Sequence, residues 1–139
     1  MKTTDELLKV LKNSKSIEEF VHENIDDTNN TTFLEYLRKY LADCGMSKSE
    51  VIEKSNIQKN YCYQIFDGSK TPSRNKVLAL SIAMELSVTD TNRLLKLSDH
   101  SILYPRIKRD SIIQFAIEQN YTLIDTNILL NDMNENILD

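Results

Sequence analysis

The sequence predicts an all-α fold, and three observations predict it. Only 2 Gly and 2 Pro occur in 139 residues, too few for a turn-rich sandwich or barrel. Apolar residues recur at three- and four-residue spacing along most of the chain, the period of a helix with one buried side. Ser, Thr or Asp stands before several of those runs, in places with an acid three residues on, the signature of a capped helix start. A hydrophobic content of 40% suffices for one modest core with an appendage.

Taken in order, Thr4 precedes Asp5, Glu6 and the apolar Leu7, Leu8, Val10 and Leu11, which predicts a short amphipathic helix. Ser16 and Glu19 form a capping box before Phe20 and Val21. Residues 24–31 (NIDDTNNT) hold one apolar residue and no helical period, so a linker is expected there. From Thr32 the period returns through Phe33, Leu34, Tyr36, Leu37, Tyr40 and Leu41, with Gly45 placed to end the helix. Ser47 with Glu50 opens a short helix that ends near Ser55 and Asn56, and Gln58 to Asp67 forms the next, closed by Gly68. Asn56 tolerates the positive φ that a tight interhelical turn demands. Pro72 leads into an apolar helix over Arg74 to Leu86, Ser87 and Asp90 cap its successor, Pro105 precedes a helix over 106–120, and Thr122 with Asp125 caps the last.

A shift of 35 residues lays 74–95 over 109–130. Arg74/Arg109, Ile82/Ile117, Asp90/Asp125, Thr91/Thr126, Asn92/Asn127, Leu94/Leu129 and Leu95/Leu130 are then identical, and the cap residues Ser87 and Thr122 coincide. Two similar helical hairpins in tandem are expected; chance similarity of two capped amphipathic hairpins is the other reading.

Composition narrows function. The stretch from Met1 to Leu11 has neither the apolar run of a signal peptide nor the length of a membrane span. Cys44 and Cys62 stand 18 residues apart with no CxxC and no histidine at ligand spacing, so reduced thiols and a cytoplasmic, soluble protein without metal or cofactor are expected. No paired nucleophile and base and no phosphate-cradling glycine loop marks an enzyme. His22 and His100 read as surface or cap residues, and Cys62 as a small core hydrophobe. Net charge is −4, unevenly spread. Residues 1–31 hold 4 basic and 7 acidic groups, residues 121–139 none and 4, while 32–120 hold 13 basic against 10 acidic. Lys54, Lys59, Lys70, Arg74 and Lys76 face only Asp67 within 54–76, making the middle the candidate polyanion surface. Residues 104–109 (YPRIKR) add three basic groups, as a second phosphate patch or as a solvated helix start.

Two short helices joined by three or four residues around Asn56, with Val51, Ile57, Cys62 and Ile65 inward, have the proportions of a helix-turn-helix. The string MSKSEVIEKSNIQKNYCYQIFDGSKTPSRNKVLALSIAMEL resembles the lambda-repressor-like, xenobiotic-response-element class of regulators through Ser47, Glu50, Ser55, Ile57, Tyr61, Ile65, Gly68, Pro72 and the apolar helix from Val77. The likeness spans residues 32–86. It implies a helix-turn-helix bundle; together with the repeat and the N-terminal pattern, this predicts a bundle extended by a second, similar hairpin, with residues 1–31 as short helices and linker, 32–104 as the DNA-binding domain and 105–139 as a C-terminal hairpin packed on it. It departs from the pattern at Lys48 (often glutamine), Asn56 (usually glycine), Ile52 (usually small) and Phe66 (commonly acidic); an exposed Phe66 would favour a protein contact.

The resemblance further implies a sequence-specific regulator of double-stranded DNA. The helix over 58–67 would enter the major groove, with Gln58, Lys59, Asn60, Tyr63 and Gln64 at base edges. Lys48, Lys70, Thr71, Ser73 and Arg74 would hold phosphates. A homodimer on a two-fold site is expected, since one such module makes few contacts. The competing reading is a helix-turn-helix-shaped interaction module that binds a partner protein, which the acidic ends and Tyr61, Tyr63 and Phe66 favour.

Overall fold

The computed structural model describes residues 29–139. The short helices expected from Thr4 and Ser16, His22 and most of the expected linker lie outside the described residues. Within them the chain forms seven helices and no strand: α1 Asn29–Asp43, α2 Lys48–Ser55, α3 Lys59–Asp67, α4 Arg74–Ala83, α5 Val88–Leu97, α6 Lys108–Glu118 and α7 Leu123–Asp132. The helix expected from Thr32 begins three residues earlier, because an apolar period reports only the part of a helix that packs. The helix expected over 106–120 spans 108–118; 104–107 close a turn in which the Ile107 N–H donates to the Tyr104 carbonyl at 3.0 Å.

α4 is the centre of the molecule. Every residue from Val77 to Met84 is buried, and α2, α5 and α7 all pack on it. α1 lies across α5 and α3, burying Phe33, Leu37 and Tyr40. Tyr40 Oη donates to Asp90 at 3.1 Å and accepts from Arg93 at 2.8 Å. Capping is local and regular. Ser47, Ser73, Ser87 and Thr122 each accept the backbone N–H three residues on, at 3.1–3.3 Å, satisfying donors that a helix start leaves unpaired.

The 35-residue shift maps hydrogen bonds as well as letters. Glu85 and Asn120 both take positive φ, 58° and 56°, as do Asp99 and Asn134, 62° and 61°. Asn92 Oδ1 accepts the Leu103 N–H at 2.9 Å, and Asn127 Oδ1 accepts the Leu138 N–H at 2.8 Å. Arg74 donates to the carbonyls of Ser101 and Ile102, and Arg109 to those of Asn136 and Ile137. The unit therefore extends past the double leucine to a buried leucine, Leu103 or Leu138, whose N–H is held by the asparagine of its own hairpin.

Contacts between the hairpins are reciprocal. Arg74 grips the Asp110 carboxylate with Nη1 and Nη2 at 3.1 and 3.0 Å, while Arg109 Nη2 donates to Asn75 Oδ1 at 2.9 Å; Asn75 and Asp110 are equivalent under the shift. Likewise α4 meets α7 while α5 meets α6. Such exchange is what a two-fold axis generates, so the hairpins α4–α5 and α6–α7 are paired about a local pseudo-dyad. α1 and α2 pack on the first hairpin, α1 on α5 and α2 on α4, and α3 packs on both of them.

Candidate nucleic-acid interface

α2 and α3 are joined by Asn56, Ile57 and Gln58. Asn56 takes the left-handed conformation (φ 55°, ψ 22°) and its N–H donates to the Glu53 carbonyl. Ser55 braces the turn, donating to the Ile52 carbonyl at 2.8 Å and accepting the Ile57 N–H at 3.3 Å. Val51, Ile57, Cys62 and Ile65 are buried, as their spacing predicts. Burial also pushes the Cys62 thiol above its ordinary range, which keeps it protonated and makes it a core residue. Two departures resolve inward as well: Ile52 and Phe66 are both buried, so Phe66 offers no surface to a partner. Tyr61 is half-buried with the Lys76 ammonium 5.7 Å from its ring centre.

The opposite side of α3 is polar and open. Lys59, Asn60, Tyr63 and Gln64 are all exposed, and their i, i+1, i+4, i+5 spacing sets them in one stripe. Lys48 leans onto this stripe from α2, its ammonium 5.9 Å from the Tyr63 ring centre and 5.4 Å from that of Phe66. Lys70 and Thr71 lie exposed beyond the C-terminal end of α3. The acid there is Asp67, whose carboxyl is held below its usual range by hydrogen bonds from Ser69. Arg38, a residue with no sequence signal for this role, donates to the Phe66 carbonyl at 3.0 and 3.3 Å and ties down the C-terminal end of α3.

Three expected site residues have other engagements. Gln58 is the N-cap of α3, its Oε1 accepting the Tyr61 N–H at 2.8 Å, so only its amide NH2 remains for a ligand. Ser73 caps α4. Arg74 is spent internally on Asp110 and two carbonyls, 27 or more residues away in sequence, which is why spacing gave no warning. His100 Nε2 lies 2.9 Å from the Pro72 carbonyl, a loop-bracing position.

Among the described residues no group of three or more His, Cys, Asp or Glu is arranged to hold a metal ion, and no helix is long and apolar enough to cross a membrane. No protein-family model matches the chain, and neither a curated protein nor a solved structure is significantly similar to it.

Proposed function

We propose that this chain is a sequence-specific DNA-binding regulator in which α2 and α3 act as a helix-turn-helix and α3 enters the major groove. The observation that carries the reading is the division of α3: Cys62, Ile65 and Phe66 anchor it from below while Lys59, Asn60, Tyr63 and Gln64 stand free above. Asn and Gln can pair with adenine N6 and N7, Lys with guanine O6 and N7, and the Tyr63 ring can pack on a thymine methyl. Lys48, beside Tyr63 and Phe66, and Lys70, beyond Gly68, both lie toward the C-terminal half of the stripe, where they could meet the phosphates flanking a groove-bound helix, with Thr71 beside Lys70. Arg74 is left out of that set and Gln58 contributes at most its NH2. Two copies on a two-fold operator supply the contacts that one module lacks.

A mobility-shift assay against genomic fragments, repeated at fixed salt with Lys59→Ala and Asn60→Ala, tests the reading. Each variant is expected to weaken specific binding by about 1–3 kcal/mol. Unchanged binding in both would remove the assigned face.

A second reading, a module that binds a protein, rests on a different part of the surface. Phe115, Ile124 and Ile128 on α6 and α7 are exposed, a cluster that isolated surface apolar residues do not explain. Binding of a partner with no salt-sensitive affinity for DNA would decide for it.

A further inference from the structure

A cleft of about 330 Å³ opens where the α2–α3 corner meets the two hairpins, and none of the exposed residues of the α3 stripe lines it. Its size falls at the lower end of the range for small-molecule sites, roughly 300–1,000 Å³. The floor is apolar: Ile82, Ala83 and Leu123 are all buried. Tyr121, half-buried, and Ile124, 72% exposed, stand at the lip. A ligand with an apolar body would cover that isoleucine and displace water from the floor, which is favourable in proportion to the apolar area removed from water.

The polar groups of the cleft select the sign of the ligand's charge. Three helices end at its wall: Asn56 follows α2, Glu85 follows α4 and Asn120 follows α6, and all three take positive φ, 55°, 58° and 56°. Each corner N–H already donates to a carbonyl three residues back, of Glu53, Ile82 and Ile117, so these corners present the negative ends of three helix dipoles and no free corner donor for an anion. One helix, α7, begins there. Its Thr122 cap takes the Asp125 N–H at 3.1 Å and the Asp125 carboxylate stands in its first turn, offsetting the positive end. Glu53 and Glu85 line the cleft, both exposed, and neither carboxylate has an ion pair among the described residues. Lys54 is the one cation of the lining, and its ammonium lies 3.4 Å from the sulfur of Met46, outside the cleft. A metal ion does not fit, since among the described residues no three His, Cys, Asp or Glu converge.

We propose that this cleft binds a small organic cation, an amine whose hydrocarbon or aromatic body rests on Ile82, Ala83 and Leu123 while its ammonium is held by Glu53 and Glu85 at the three helix ends. α2 and α7 each pack on α4, and the ligand joins them across it, linking the α2–α3 corner to the second hairpin. The inference is independent of DNA binding.

Three probes with like aromatic bodies and different heads test it: phenethylamine, phenethyl alcohol and phenylacetate, titrated into the full-length protein and followed by amide resonances. The amine is expected to perturb Asn56, Glu85, Asn120 and Ile124 and to bind about fivefold or more tightly than the alcohol or the acid. Glu53→Gln and Glu85→Gln should each weaken the amine about two- to fivefold and leave the alcohol unchanged. Ile124→Lys, which sets a cation at the lip, should weaken the amine more than the alcohol. All three positions are exposed, and unchanged resonances elsewhere would show that each variant still folds. Equal affinity for the three probes, tighter binding of phenylacetate, perturbation confined to other parts of the surface, or no response to millimolar amine would each overturn the proposal.

Discussion

Thr91 and Thr126 are equivalent, fully buried residues that differ in one bond. Thr126 Oγ1 donates to the Thr122 carbonyl at 2.8 Å, whereas Thr91 Oγ1 has no partner. A buried hydroxyl left without a partner costs about 1–3 kcal/mol, while a satisfied one contributes about 1 kcal/mol net. Valine keeps the shape and removes the hydroxyl. Thr91→Val is therefore expected to raise stability by about 1 kcal/mol and Thr126→Val to lower it by about the same. Urea midpoints at unchanged slope read both, and shifts of the same sign would refute the assigned difference. At this scale the sequence was half-legible: identity across the repeat marked both threonines as equivalent, but the bonding difference depends on the backbone beneath each one.

At the level of elements, the helix starts were the most readable features, because a cap and the N–H it serves are three residues apart and nothing distant intervenes. Ser47, Ser87 and Thr122 all cap where the sequence places them. Gln58 was less visible, since glutamine is an uncommon cap and its polar head also suits a groove. Corners divide in the same way. Asn56, Gly45 and Gly68 announce positive φ, and a Cβ at Gly68 would also lie 2.8 Å from Leu34 Cδ1, the tip of a side chain that would have to turn aside. Glu85 announces nothing, yet it takes φ 58° at the corner where the second hairpin uses Asn120. A residue with a Cβ pays about 1–2 kcal/mol in that conformation, from which glycine is exempt. Glu85→Gly is expected to raise stability by about 0.5–1 kcal/mol, and a loss would mean that the carboxylate or its stem contributes more than the backbone strain costs.

At the scale of the whole molecule, long-range pairing decided what local pattern could not. Arg74 follows a proline in a basic stretch and reads from sequence as a phosphate ligand, but the repeat places Asp110 opposite it and makes it the clasp between hairpins. Arg109 mirrors it, with burial lowering its affinity for the proton and neutral Asn75 as its side-chain partner. The two clasps should therefore fail differently. Arg74→Ala removes the cation from a carboxylate whose side chain is 4% exposed and leaves it the Tyr104 N–H at 3.0 Å, at an expected cost of about 3 kcal/mol. Arg109→Ala takes a donor from neutral groups alone, the Asn75 amide oxygen and two exposed carbonyls, at about 1–2 kcal/mol. If Arg74 acts solely as a clasp, DNA binding by the folded fraction keeps its salt dependence in Arg74→Ala. Lys48→Ala and Lys70→Ala should each reduce the slope of log affinity against log salt by about one while leaving unfolding midpoints unchanged. The reverse pattern, a reduced slope in Arg74→Ala with little loss of stability, would return that guanidinium to the proposed DNA face and break the pseudo-dyad as an organising contact.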